Sequence, residues 1–281
     1  MHVDLGEVSV HYDSFGEGRP FLALHGSSLD RRAAIFEFEP CLSARAGWRR
    51  IYPDLPGHGD TAGAEAVATN DGLVDVLVEF LDAVCPGERV VIAGTSYGGY
   101  LVRGLVDRID DRLDGVCLNV AAPVLGRPLR TPPRRVIAGA DAIRVRSRDA
   151  GWSWYENLAV ADSAALRQYG AVLKDTTADA DFIARLREPS AVLSVEREPS
   201  GEVCQAPSLI LAGRQDNICG YQDVWELLES FSRATFAVLD RAGHLLRGEQ
   251  PILFSVLVSE WLDRVEEWTR LGRPTAVAAL S

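Results

Sequence analysis

Apolar residues run continuously over Phe21–Leu24, Val90–Ala93 and, within Ser208–Ala212, from Leu209 on, each run bounded by turn-forming residues. Short unbroken runs of this kind predict strands buried on both faces, as in a parallel sheet. Val8–Tyr12 alternates apolar and polar positions instead, which predicts a strand with one solvated face. Further strands are predicted at Arg50–Tyr52, Gly115–Leu118 and Thr235–Leu239. Helical stretches fall between them, at about residues 30–45, 71–84, 97–110, 223–231 and 251–268. Cys85-Pro86-Gly87 stops the second of these. The resulting alternation predicts an α/β fold with a mostly parallel central sheet and helices on both faces.

The alternation lapses after Pro123. From there to about residue 205 the chain carries Pro128, Pro132, Pro133, Pro189 and Pro199 among amphipathic helical segments, without a clear buried strand. We therefore expect one core formed by residues 1–122 and 206–281, with residues 123–205 inserted as a helical cap. Thr269–Ser281 reads as a loose tail.

Gly94-Thr95-Ser96-Tyr97-Gly98 sits where the strand at 90–93 turns into a helix, the context that a G-x-S-x-G nucleophile elbow requires. Its glycines would let strand and helix pack closely, and the turn would project the Ser96 hydroxyl above the strand end. At the helix start, the Tyr97 amide and the helix dipole would favour a developing oxyanion. A glycine-rich turn with an incidental serine has the same five residues, so the remaining elements must decide.

A serine hydroxyl needs a base within hydrogen-bond reach and a group that orients the base. Of the five histidines, His2 and His11 fall on early strands, and His25 and His58 fall in loops where backbone shaping is the expected role. His244 follows the strand ending at Leu239 and should lie at the carboxyl edge of the sheet, where catalytic groups gather. Asp216 follows the strand at 208–212 and is the expected orienting acid. Asp240 ends the same strand that precedes His244 and is poorly placed to reach the far ring nitrogen. Asn119 follows the strand at 115–118, but an amide cannot balance an imidazolium.

At this point the chain resembles the α/β-hydrolase superfamily in its serine-nucleophile branch, esterase-like and with a helical cap. The order Ser96, Asp216, His244 matches the superfamily's order of serine, acid and histidine. The resemblance also takes in His25-Gly26, the segment Asp54–Gly59, the elbow, and Trp261-Leu262 in the last helix. It implies that the Ser27 amide joins that of Tyr97 in an oxyanion hole, and that the Asp54–Gly59 bend is structural. Ser96 stands where dehalogenases and epoxide hydrolases of this fold carry aspartate, which argues against those chemistries. His25-Gly26-Ser27-Ser28 lacks the His-Gly-Gly-Pro-Gly loop of proline iminopeptidases and the Gly-Pro-Gly-rich loop of hydrolases of meta-ring-fission products.

Composition narrows the partners. A net charge of −11 argues against a general nucleic-acid binder. No stretch approaches the ~20 apolar residues of a membrane span. The start of the sequence lacks a secretory signal, and five cysteines without a CxxC pair signal neither a zinc site nor a disulfide framework, so a reducing cytoplasm is expected. No cofactor is required by the expected chemistry; the expected partner is a small-molecule substrate, and oligomeric state leaves no mark. Residues 127–148 hold seven arginines against Asp141 alone. They form either a solvated helix face or a region that steers an anionic substrate. Trp152, Trp154 and Tyr155 either line an acyl pocket or pack the cap.

The expected activity is hydrolysis of a carboxylic ester, thioester or lactone of small to medium size, through an acyl-enzyme. Acyl transfer or lyase chemistry on the same scaffold, and a ligand receptor that has kept the fold, are the alternatives.

Overall fold

A computed structural model describes residues 1–133, 135–137, 158–160, 164–197 and 203–273. The eight strands of its sheet are β1 (His2–Leu5), β2 (Val8–Phe15), β3 (Arg19–Leu24), β4 (Trp48–Pro53), β5 (Val90–Thr95), β6 (Leu113–Asn119), β7 (Ser208–Gly213) and β8 (Ala234–Leu239). They lie in the order β1-β2-β4-β3-β5-β6-β7-β8. β1 and β2, and β2 and β4, pair antiparallel; every later pairing is parallel. The unbroken apolar runs became the central strands β3, β5 and β7, the strand expected at Gly115–Leu118 became β6 between β5 and β7, and the alternating one became β2, nearer the edge.

Helices α1 (Arg31–Leu42), α2 (Asn70–Val84), α3 (Tyr97–Ile109) and α9 (Pro251–Arg270) cover the sheet. Successive strand residues point to opposite faces, so each buried strand feeds two cores. Leu22, Leu24, Val90 and Ile92 pack with Leu77 of α2 and Leu101 of α3. Phe21, Ala23, Val91 and Ala93 meet Phe38 of α1 and Trp261 of α9 on the other side. Helix starts follow the expected capping chemistry: Asp30 accepts from Arg32 N–H at α1, and Thr69 from Gly72 N–H at α2.

Between β6 and β7 lie α4 (Ala164–Leu173), α5 (Ala180–Leu186) and α6 (Ser194–Arg197). The stretch read as one helix over 223–231 is a single turn, α7 (Gln222–Trp225), followed by a 3₁₀ turn at Glu226–Ser230. The chain leaves the helix there because Ser230 C=O and Ser232 N–H pair with the backbone of Cys204, in a parallel bridge centred on Phe231. α8 (Leu246–Glu249) completes the elements.

β3 lies between β4 and β5, so the chain winds outward in one direction from β3 and then returns to its other side. The crevice beyond the carboxyl ends of β3 and β5 is the switch point at which such sheets bind ligands.

Candidate active site

Register brings the switch-point loops together. Leu24 of β3 pairs with Gly94 of β5, so the two following loops, Gly26–Ser27 and Ser96–Tyr97, emerge side by side. A Cβ on Gly94 would strike the carbonyl of Gly98, and one on Gly98 would strike that of Leu24. No other residue type permits strand, elbow and helix to approach so closely. Ser96 itself has φ 55° and ψ −115°, in the positive-φ half of conformational space that L-residues avoid. Such a residue costs about 1–3 kcal/mol and persists only where its surroundings hold it. Here Ser96 N–H donates to Asn119 C=O at 3.0 Å, and Ser96 C=O accepts from Tyr100 and Ala122 N–H, each at 3.1 Å.

Ser96 Oγ lies 3.0 Å from Nε2 of His244, and His244 Nδ1 lies 2.9 Å from Oδ2 of Asp216. Asp216 is fully buried, and its other oxygen accepts from Ile218 N–H at 2.8 Å and Cys219 N–H at 3.1 Å. These bonds fix the carboxylate, which fixes the ring, which addresses the hydroxyl. Burial opposes an imidazolium at His244, but the Asp216 carboxylate outweighs it and holds the pKa well above the ordinary histidine value. Asp240 takes no part; its backbone carbonyl accepts from the Gln215 amide. Asn119 holds Thr95 Oγ1 at 3.1 Å, and Thr95 in turn donates to Glu37.

His25 and His58 serve the backbone. Nδ1 of His25 donates to Gly26 C=O at 2.8 Å, and its Nε2 accepts from Leu55 N–H at 3.0 Å, which joins the ends of β3 and β4. Burial drives both histidines down to about 4, so they stay neutral. In the Asp54–Gly59 bend, Asp54 accepts from the Arg31 and Asp60 amides.

Ser96 and His244 open on a cleft of about 210 Å³. Leu29, Leu173, Ile218 and Leu245 give it apolar walls; Ser27 and Arg187 give it polar ones. The Tyr97 amide is at the first turn of α3, where helical N–H groups lack intrahelical acceptors. A groove of about 480 Å³ lined by Arg130, Tyr221, Trp225 and Phe236 is larger but holds none of Ser96, His244 and Asp216.

Trp152, Trp154 and Tyr155 lie outside the described residues, as do Arg134, Arg144, Arg146 and Arg148 of the basic segment. Arg127 and Arg130 of that segment are ion-paired with buried Asp223, each at 2.9 Å, and Arg130 also with Glu226. Their charge is spent on a fixed contact, not offered to the cleft.

Several supporting residues have no signature in the sequence. Cys219 carries a buried thiol whose Sγ groups with Asp216 and His244 within 4.8 Å, and burial pushes its pKa up, so it is present as the neutral thiol. Asp216, Cys219 and His244 could in composition hold a metal, but Oδ2 and Nδ1 are already each other's partners. Glu249 accepts from Gly243 N–H at 2.7 Å, beside His244, and from the amides of Ala159 and Val160, the latter at 2.8 Å. Asn70 accepts from the Tyr97 hydroxyl at 2.6 Å and donates to the carbonyls of Leu186 and Ala191. Apart from Asp216, three residues before Cys219, each partner is more than twenty residues distant or is a backbone group, which spacing along the chain does not reveal.

Comparisons with known proteins bear on the family and the fold. Residues 21–255 match the alpha/beta hydrolase family. A pimeloyl-[acyl-carrier protein] methyl ester esterase of Nitrosospira multiformis is 30% identical over 132 residues, covering 42% of this chain and 44% of the esterase. A 2-hydroxymuconate semialdehyde hydrolase of Pseudomonas sp. is 24% identical and is covered, like this chain, over 92% of its length. An alpha/beta superfamily hydrolase from Oenococcus oeni superposes with a TM-score of 0.82 at 26% identity, over 92% of this chain and 97% of that one. With the sheet order, the elbow and the family match over most of its length in agreement, the chain belongs to the alpha/beta hydrolase family.

Proposed function

We propose that the protein is a serine hydrolase that cleaves a carboxylic ester, thioester or lactone of small to medium size through an acyl-enzyme. The observation that carries this reading is the relay from Ser96 Oγ through His244 to Asp216, with both bonds near 3 Å. Ser96 is the nucleophile, His244 the general base and then acid, and Asp216 the group that orients and charge-balances the ring. The amides of Ser27 and Tyr97 receive the oxyanion, a donor of this type being worth about 10²–10³-fold in rate. The cap is the connection between β6 and β7, whose described residues Leu173 and Arg187 line the cleft.

In the first half-reaction Ser96 Oγ bonds to the acyl carbon while its proton passes to Nε2. The tetrahedral intermediate collapses, the bond to the leaving group breaks, and His244 returns the proton to that group. Water then attacks the acyl-serine, His244 taking its proton and restoring it to Oγ as the acid departs. The strained elbow contributes by holding Oγ in place before substrate arrives.

A panel of para-nitrophenyl esters of increasing acyl length, with lactones alongside, tests this reading. Turnover should occur for at least one acyl class and vanish in Ser96→Ala. Turnover that survives that substitution overturns it.

A further inference from the structure

Resting on the serine-hydrolase reading, we propose that the substrate carries a carboxylate and that Arg187 binds it, which makes Arg187 the specificity-determining residue of the cleft. Among the described residues, Arg187 is the only arginine or lysine lining the space onto which Ser96 and His244 open. Its Nη2 reaches Ser27 Oγ at 3.3 Å, so the guanidinium stands at the loop proposed above to supply an oxyanion amide. Its charge also acts on the buried Tyr97 phenol, holding back a rise in pKa that burial imposes.

The guanidinium has five donors, and a neutral hydroxyl at 3.3 Å satisfies at most one. Among the described residues no carboxylate forms an ion pair with it. This sets it apart from Arg127 and Arg130, which come from the same connection between β6 and β7 but are committed to Asp223. In a protein of net charge −11 a carboxylated substrate gains little from the general field. It needs one local cation with unfilled donors, and a planar guanidinium fork fits a carboxylate.

Arg187 is also held in place from below. It caps the C-terminus of α5, where Phe182 and Leu186 are buried. The carbonyl of Leu186, next in the chain, accepts from the buried Asn70 amide at 2.8 Å, and Asn70 accepts from the Tyr97 hydroxyl. The backbone that carries the cation is therefore tied through two buried polar bonds to the helix that carries the nucleophile. An arginine on a free surface loop has no such tether.

The test compares mono-para-nitrophenyl adipate with para-nitrophenyl hexanoate, which differs by a methyl in place of the carboxylate. Arg187→Met should lower kcat/KM for the adipate by about 10- to 100-fold, mainly through KM, the range for loss of a charged hydrogen-bond partner. The hexanoate should change by less than about twofold, and Arg187→Lys should recover part of the adipate activity. Added salt should depress the adipate reaction of the wild type more than the hexanoate reaction, and Arg187→Met should remove that difference. Equal losses on the two esters, or no loss on the adipate, overturn the proposal. Labelling of Ser96 by a fluorophosphonate in wild type and Arg187→Met separates the two readings. Selectivity that fails while labelling persists rejects the carboxylate subsite alone, and labelling that fails in the wild type rejects the hydrolase reading and this inference with it.

Discussion

The carboxyl edge of the sheet and the connection between β6 and β7 are held by different forces. At the sheet edge, strands buried on both faces fix the register, and the register places Gly26, Ser96, Asp216 and His244 within reach of one another. The connection packs Phe182, Leu186 and Leu193 into the core and adds polar tethers to that packing. Asn70 holds the carbonyls of Leu186 and Ala191, Glu196 links Tyr100 with the amides of Leu125 and Gly126, and Glu249 holds those of Ala159 and Val160. Apolar layers are insensitive to small polar changes, whereas a tether fails when one partner is lost. Chemistry and recognition should therefore respond to mutation differently.

The largest effect should come from the relay at the sheet edge. Ser96→Ala or His244→Ala should lower kcat by about 10⁴-fold or more with the fold intact, because the two act as a unit. Steady-state turnover with circular dichroism checks both halves of this statement.

Asp216→Asn tests the electrostatics of the same edge. His244 must be neutral to accept the Ser96 proton, and Asp216 raises its pKa, so wild-type kcat/KM should climb with pH through a midpoint above 6.5. Removing the carboxylate should lower that midpoint and reduce the plateau by about 10³–10⁴-fold. A pH–rate profile whose midpoint does not move would contradict the assignment of the acid.

Tether loss should act on stability first. Glu249→Ala leaves three buried amides without an acceptor and should cost about 2–4 kcal/mol in denaturant unfolding. Burial raises the Glu249 pKa from 4.5 to about 7 even though three amides favour its charge. A carboxyl group with a raised folded-state pKa stabilises the fold below its unfolded value, and that contribution is lost as pH rises towards the folded value. Wild-type stability relative to Glu249→Gln should therefore decline between about pH 4.5 and pH 7, and unfolding of the pair across that window reads the slope.

The smallest effect is expected at the paired arginines. Arg127→Met with Arg130→Met should leave the salt dependence of a carboxylated ester unchanged to within about twofold, because Asp223 and Glu226 already offset both charges. A collapse of that salt dependence would return the steering role to the basic segment.

What the sequence made legible follows the same division. Strands β3, β5 and β7 were readable because burial on both faces demands unbroken apolar runs, and the elbow was readable because its glycines answer to local backbone contacts. Ser96, Asp216 and His244 could be chosen because each follows a readable strand. Asn70, Glu249 and Arg187 could not. Their partners lie far along the chain or on the backbone, and an asparagine at a helix start or a glutamate two residues before a proline looks the same whether it is buried or solvated. The basic stretch at 127–148 left two readings open for a related reason, since charge counted along a sequence does not show that Asp223 lies opposite Arg127 and Arg130.

The central claim is that Ser96 is an activated nucleophile at the end of a His244–Asp216 relay. Intact-mass analysis after reaction with a fluorophosphonate measures it most directly. The account predicts one adduct per chain in the wild type, mapped to Ser96, and none in Ser96→Ala. An adduct that persists in Ser96→Ala, or a folded wild-type protein that takes up none, would contradict it.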